Sequence, residues 1–469
     1  MIKASFKHLK SFKKTPFCEL NMKKIIISFI LFVCLILALA GLVAHRYFNR
    51  EKSVDKTRTV YVDNVNNGFQ LIRNGKPYKI QGAAGDSYFH ELAAAGGNTI
   101  RVYDTINISN VLDEAQKNNL AVIVDIPIPK YDFRYNLYSS DEHNRKLIKN
   151  IGLLVKKHKD HPALLIWNLG NEINYPLFNW KEIFLKNSFI ETFNKLIEII
   201  HKEDPNHPVS TTLYNSNLKQ YANIKINSPE LDLLSYNVFG DIKNLFSKID
   251  KFHFYFGACP FYISEFGSDG YWESKSTSWL APIEPTSAKK SEQILNRYKI
   301  ILENNHQSYL GALVFYWGNK FELTYTWFSL FRKEFKSEII RDLKNSWGQS
   351  DNSPRIGLNY MLIDGLGTID NVVFAPNERK TAELYFLDSA KKEEMKVEWE
   401  IFAEGWHYDE DDNRIRPKEL LNLFLSFDGS RATFKIPEKE GPYRIFAYVY
   451  DNEGFFATTN TPFYVLNPK

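Results

Sequence analysis

The sequence predicts an α/β protein: a (β/α)8 TIM barrel, followed by an immunoglobulin-like β-sandwich and preceded by a transmembrane helix. Three observations predict it. Between residues 59 and 353, short apolar runs alternate with amphipathic stretches, as parallel strands wrapped by helices require. From Asn371 onward the pattern changes to short strands separated by turns. Near the N-terminus, Ile25 to Ala44 is an uncharged, mostly apolar run of about twenty residues, enough to cross a bilayer.

Lys3, Lys7, Lys10, Lys13, Lys14, Lys23 and Lys24 precede that run. Positive charge before a span favours a cytoplasmic tail at 1–24 and the bulk of the chain outside, in the periplasm or the extracellular space. A second reading starts the chain at Met22 and makes the run a signal peptide cut after Ala38-Leu39-Ala40. Val33 before Cys34 speaks against a lipoprotein. Residues 45–58 are polar and charged and read as a stalk.

The barrel strands are expected at Tyr78–Gly85, Asn98–Thr105, Ala121–Ile128, the run ending at Glu172, Pro208–Tyr214, Leu231–Gly240, Phe261–Gly267 and Gly311–Asn319. Helices are expected at Tyr88–Ala95, Asn110–Asn119, Lys146–His158, Lys181–His201, Ser287–Asn304 and Glu334–Ser346. Residues 354–370 read as a linker. The sandwich, 371–469, has seven expected strands and a hairpin turn at Asp451 to Gly454.

Composition narrows the function. Apolar residues make up 44%, so a sizeable core is possible. The net charge is +4, and without the seven N-terminal lysines the remainder is slightly acidic, which points away from nucleic acid. Beyond the apolar run only Cys259 remains, so that part forms no internal disulfide and no cysteine-based metal site. His90, His161 and His207 are too scattered for a metal set, and Asp409 to Asp412 reads as a solvated loop rather than a calcium site. No cofactor is expected.

Two stretches carry chemistry. ALLIWNLGNEIN (Ala163 to Asn174) is an apolar strand that breaks at Gly170 and delivers Asn171 and Glu172. FYISEFG (Phe261 to Gly267) has the same design and delivers Glu265. One carboxyl to protonate a leaving oxygen and one carboxylate to attack an anomeric carbon are the minimum equipment for cleaving a β-glycosidic bond with retention. Strands four and seven of a closed barrel place both across one mouth. Asn171 offers an amide to a sugar 2-hydroxyl, Arg101 lies at the end of strand two to favour the ionised nucleophile, and Trp317 ends strand eight as a floor for the ring. Trp272, Trp279 and Trp327 fall in the loops after strands seven and eight, as sugar platforms or loop packing.

The pieces IRNGKPYKIQGAAG, NTIRVYD, HPALLIWNLGNE, DPNHPVS, DLLSYN, PFYISEFG and VFYWGNK cover roughly residues 70 to 330. Together they resemble the catalytic barrel of glycoside hydrolase family two. The resemblance implies Glu172 as acid/base and Glu265 as nucleophile, with Asn171, Arg101 and Trp317 beside them. The stretch from Glu265 to Phe331 further resembles membrane-linked bacterial barrels similar to enzymes acting on β-glucans. Two departures stand out. Where the family has a tyrosine bonded to the nucleophile, this chain has Phe239, and Tyr236, three residues earlier, is the candidate substitute. The residues before 59 show no counterpart of the sandwich domains that precede the family's barrel, so a more open cleft is expected. The expected partner is an oligo- or polysaccharide, hydrolysed or transferred. The alternative is a membrane-anchored, non-catalytic glycan-binding protein on a degenerate barrel.

Overall fold

The computed structural model describes residues 27–36, 41, 54–66, 68–177, 187–387, 395–405 and 415–467. The chain divides into two compact units, residues 1–53 with 253–258, and residues 54–252 with 259–469. In the first, residues 27–36 and 41 are helical, with exposed side chains at 27–36. The rest of the expected span at 25–44, the basic tail and the stalk up to residue 53 lie outside the described residues. Among the described residues no helix is long and apolar enough to cross a membrane.

The second unit begins with an antiparallel sheet, β1 (Val60–Val65), β2 (Gly68–Arg73) and β3 (Lys76–Tyr78). Eight parallel strands then close into a barrel: β4 (Ile80–Gly85), β5 (Thr99–Val102), β6 (Ala121–Ile126), β7 (Leu164–Asn171), β8 (Val209–Tyr214), β9 (Leu233–Asn237), β10 (Phe261–Phe266) and β11 (Tyr309–Trp317). The expected first strand, from Tyr78, is therefore two: its start belongs to the opening sheet. Closure needs small residues where strands approach. A Cβ on Gly82 would lie 1.8 Å from the Thr99 carbonyl oxygen.

The barrel is apolar below and polar above. Leu165, Leu233, Tyr262, Leu310 and Leu313 fill its lower part, and Val60 and Leu71 of the opening sheet pack onto that cluster. Burying these side chains supplies the main driving force for closure. Above them the inward side chains are Arg101, Asp125, Asn168, Ser210, Thr212, Ser235, Asn237 and Ser264, all fully or almost fully buried. Buried polar groups persist only when hydrogen-bonded, so this layer forms a connected network at the C-terminal mouth.

Capping decides the helix bounds. The helix expected from Lys146 starts at Asp141, because the Ser140 side chain accepts from the His143 N–H while Asp141 and Glu142 lie in the first turn. The helix expected from Lys181 runs over Ser188–Glu203 behind an Asn187 cap, and residues 181–186 lie outside the described residues. Helices Leu218–Asn227 and Ile242–Phe256 complete the connections after β8 and β9.

The C-terminal part is a two-sheet sandwich. One sheet has the order β12 (Phe331–Arg332), β13 (Phe335–Ser337), β21 (Phe455–Val465), β20 (Gly441–Tyr450), β17 (Lys396–Ala403), with β15 (Val373–Phe374) also on β21. The other has the order β14 (Leu358–Ile363), β16 (Arg379–Phe386), β19 (Arg431–Lys435), β18 (Phe424–Asp428). The expected linker at 354–370 thus contains a sandwich strand, β14. Nor does the boundary at 353 separate two independent bodies. Residues 331–337, downstream of the last barrel strand, join the sandwich sheet through β13 and β21. Arg332 Nη2 pairs with Glu400 Oε1 at 2.5 Å, and Arg444 Nη2 donates to the Pro282 carbonyl at 2.7 Å. The acidic run Asp409 to Asp412 lies outside the described residues.

Candidate active site

Both glutamates stand after a one-residue bulge. β7 pairs with β8 as Trp167 to Val209 and Asn168 to Ser210, then skips to Asn171 with Thr212. The extra residue falls around Gly170, whose φ is +76°, and a Cβ there would lie 2.2 Å from Ile173 Cγ2. Glu172 follows in the left-handed region at φ 53°, a strained conformation for a residue with a Cβ. β10 pairs with β9 as Ile263 to Tyr236, then skips to Glu265 with Asn237. A bulge resets the alternation of side chains, so two successive residues reach the barrel axis. On β10 these are Ser264, whose hydroxyl donates to Asn237 Oδ1 at 2.8 Å, and Glu265.

Arg101 joins the pieces. Its Nε and Nη2 donate to the two oxygens of Asp125 at 3.0 and 2.7 Å. Its Nη1 donates to Glu265 Oε1 at 3.0 Å, and Nη2 donates to Asn171 Oδ1 at 2.8 Å. The Tyr103 hydroxyl donates to the same Glu265 Oε1 at 2.9 Å. Asn237 links Glu172 to Arg101: its Nδ2 donates to Glu172 Oε1 at 2.9 Å and to Asn171 Oδ1 at 3.1 Å, and its Oδ1 lies 3.4 Å from Arg101 Nη1. A guanidinium only donates, so the Asn171 atom facing it is the oxygen. The Asn171 amide nitrogen is thereby left to donate elsewhere.

The two carboxyls differ in surroundings. The Glu265 side chain is 8% exposed. Burial pushes it up to about 7, with the Glu172 charge adding to that effect and Arg101, Tyr103 and Lys320 opposing it. The Glu172 side chain is 28% exposed, and its Oε2 lies 3.9 Å from Lys130 Nζ. Burial, reinforced by the Glu265 charge, holds the Tyr103 phenol well above its ordinary value, so it remains a donor across the working pH range. Burial opposes the Arg101 charge, but Asp125, Tyr103 and Glu265 outweigh it and raise that pKa.

Of the residues singled out in the sequence, Glu172, Glu265, Arg101 and Asn171 come together. Tyr236 does not join them. Leu233, Ser235 and Asn237 face the axis, so alternation turns Tyr236 outward into the helix layer, against the Phe261 ring at 5.7 Å. Trp317 is wholly buried, its indole N–H donates to the Tyr88 carbonyl at 3.0 Å, and it stacks on Trp347. It presents no face to the mouth and supports the wall from behind. Trp327 is likewise buried and donates to the Asp269 carbonyl at 2.9 Å. Trp279 is half-buried against Tyr464, and Trp272 alone of the loop tryptophans is exposed, packed on Phe239 and Phe328.

Sequence reasoning missed Tyr103, Asp125 and Asn237 as site residues. The signals were present. Tyr103 stands two residues after Arg101, a spacing that shares a strand face, and Asp125 is the one charge in AVIVDIPI. Phe239, at the place of the family's tyrosine, packs edge-on to Phe315, and Phe315 packs edge-on to Tyr103. The hydroxyl on Glu265 therefore comes from strand two rather than strand six.

Residues 98–271 match the family model for the TIM barrel domain of glycosyl hydrolases family 2. That segment holds Arg101, Tyr103, Asn171, Glu172, Asn237 and Glu265. Among solved structures, the chain is similar to a calcium-binding mutant of Bacteroides uniformis β-glucuronidase 2. The identity is 16%, the match covers 85% of this chain and 47% of that one, and the TM-score is 0.47. It is also similar to the β-D-glucuronidase of Dictyoglomus thermophilum, at 17% identity over 63% of this chain and 54% of that one, with TM-score 0.46. This chain spans about half the length of these enzymes. Comparison with curated protein sequences gives no match.

Proposed function

We propose, for a chain whose residues 98–271 match the family model for the TIM barrel domain of glycosyl hydrolases family 2, a retaining β-glycosidase or transglycosidase acting by double displacement. The observation that carries it is the pairing of a buried Glu265, held by Arg101 and Tyr103, with a more exposed Glu172 joined to it through Asn237 and Arg101. In the first step a Glu265 carboxylate oxygen attacks the anomeric carbon as the C1–O bond to the leaving group breaks. The Glu172 proton passes to the leaving oxygen, releasing an alcohol. In the second step Glu172 takes a proton from water or a sugar hydroxyl, whose oxygen attacks C1 and frees Glu265. Arg101 and Tyr103 fix the attacking oxygen, and the Asn171 Nδ2 supplies a donor to the sugar 2-hydroxyl. β-Glucans are the first substrates to try.

Mass spectrometry after incubation with 2-fluoro β-glycosides, glucosyl and laminaribiosyl forms first, tests this reading. A stable adduct on the peptide containing Glu265 is the expected result. Folded protein that forms no adduct with a broad panel, yet binds glycans, turns the reading to a non-catalytic binding protein.

The same proposal places the catalytic part outside the cytoplasm, held at a membrane by residues 25–44. The seven lysines before that apolar run support this. Protein recovered from cell membranes by carbonate washing would contradict it.

A further inference from the structure

The rim of the barrel beyond Glu265, away from Glu172, carries charge of one sign. Along β4, Ile80 and Ala84 face the barrel interior, so Asp86, two residues further, continues that face at the rim. β11 pairs with β4 as Phe315 to Ala84 and Trp317 to Gly85, and Tyr316, the residue skipped between those pairs, lies at the same rim. Asp104 stands on the neighbouring strand end, one residue after Tyr103.

Contacts tie this rim to the nucleophile. The Tyr103 hydroxyl donates to Glu265 Oε1 at 2.9 Å, and the Tyr103 ring lies 6.3 Å from the Tyr316 ring. A Cβ on Gly318 would lie 2.7 Å from Tyr316 Cε1 and 3.2 Å from Ser87 Oγ, and Ser87 Oγ donates to Asp86 Oδ1 at 3.1 Å. Burial holds the Tyr316 phenol above its ordinary pKa, and Asp86, to which it donates, and Asp104 add to that effect. Tyr316 is thus placed between both aspartates and the tyrosine that holds Glu265.

The two aspartates have acceptor sites to spare and no counter-ion. A carboxylate offers about four lone-pair sites. Asp86 receives Ser87 and Tyr316, and Asp104 Oδ1 receives the Ile106 N–H at 2.7 Å. Both side chains are exposed, and among the described residues no lysine or arginine pairs with either. A cation does lie nearby: Lys320 Nζ is 5.7 Å from the Tyr316 ring centre. Glu322 Oε2 holds it at 2.8 Å, so its charge is already matched.

We propose that Asp86 and Asp104 select the sugar by charge: the site takes a neutral β-linked pyranose, whose hydroxyls donate to the two carboxylates, and rejects a uronic acid, whose own carboxylate they repel. Glu172, as proton donor, marks the leaving side, so the ring attacked by Glu265 extends over the ends of β11, β4 and β5, where these aspartates stand. This inference rests on the retaining glycosidase reading and narrows its substrates to uncharged glycans. Solvent screens both carboxylates, so the rejection is about tenfold per charge rather than absolute.

The test pairs substrates that differ only at C6: 4-nitrophenyl β-glucoside with the β-glucuronide, and the β-galactoside with the β-galacturonide. Wild-type protein is expected to favour the neutral member of the cleaved pair about 100-fold in kcat/KM. Asp86→Asn is expected to cut that ratio about tenfold and Asp104→Asn about threefold, chiefly through faster turnover of the uronide. In wild type, about 0.5 M sodium chloride is expected to cut it severalfold, which loosened packing alone does not do. A uronide cleaved as well as its neutral partner, or a ratio that neither variant nor salt moves, overturns the selection and leaves the glycosidase reading standing. Wild-type protein that turns over neither pair, with Glu265→Gln indistinguishable from it, overturns both.

Discussion

Glu172 and Glu265 each end a barrel strand, and each follows a bulge, yet they sit in different environments. Glu265 lies inside the wall, its Oε1 shared by a guanidinium and a phenol. Glu172 stands at the rim in a left-handed conformation, with one oxygen on Asn237 and the other toward the exposed Lys130. A nucleophile, the role proposed for Glu265, must be held still and aimed at one atom, and two buried groups hold Glu265 in that way. A residue that donates a proton and later takes one back must reach both the leaving sugar and the incoming hydroxyl, which the rim allows. The contrast teaches that two stretches of one local design end in different surroundings, and the proposed roles follow from those surroundings.

Substitutions break the comparison in graded steps. The largest effect is expected for Glu265→Gln, a loss of about 10⁴-fold or more in kcat on every substrate, because no attacking oxygen remains. Glu172→Ala is expected to lose about 10²- to 10⁴-fold on a disaccharide. On a glycosyl fluoride carrying the same sugar it retains most of its first-step rate, and azide accelerates its turnover. Equal losses on both substrates would show that the two carboxyls do not have separate roles.

Arg101→Lys is expected to lower kcat about 10²- to 10³-fold, since an ammonium does not serve Asp125, Asn171 and Glu265 together. It also costs about 3 kcal/mol of stability by leaving buried charge incompletely paired, which urea unfolding measures. A variant as stable as wild type would show that the Asp125 pair contributes nothing to the fold.

Tyr103→Phe sharpens the electrostatic side. Its hydroxyl favours the ionised form of Glu265, so removing it raises a carboxyl already pushed up to about 7. The nucleophile acts only when ionised, so the acid limb of kcat/KM is expected near pH 7 in the wild type and at higher pH in Tyr103→Phe. The loss in kcat at pH 8 is about 10-fold. A limb that moves to lower pH would contradict the assignment. The smallest catalytic effect is expected for Trp317→Phe, less than about threefold in KM. Its cost falls on stability, about 1–3 kcal/mol from the unpaired Tyr88 carbonyl and the lost volume. A tenfold rise in KM at unchanged stability would restore Trp317 as a floor for the sugar.

The eight-strand order, the two glutamates and Arg101 were legible in the chain itself. Each glutamate closes a largely apolar run and Arg101 stands within a short strand earlier in the same barrel order, a pattern with few folds open to it. Alternation along one strand also carries Tyr103 beside Arg101. Only the tertiary structure decided the rest. Whether Trp317 faces the mouth or the helices depends on the pairing of β11 with β4, which skips between Phe315 and Trp317. Whether Tyr236 reaches the nucleophile depends on which face of β9 closes inward, and a shift of one residue reverses that. Asn237 bonds Glu172 and reaches Arg101, which bonds Glu265, because strands four, six, seven and two close against one another. The sandwich likewise had its strands written in sequence, but not its recruitment of residues 331–337 into its sheet. Periodicity is a property of neighbours along the chain, whereas register and bulges are fixed between strands far apart in it.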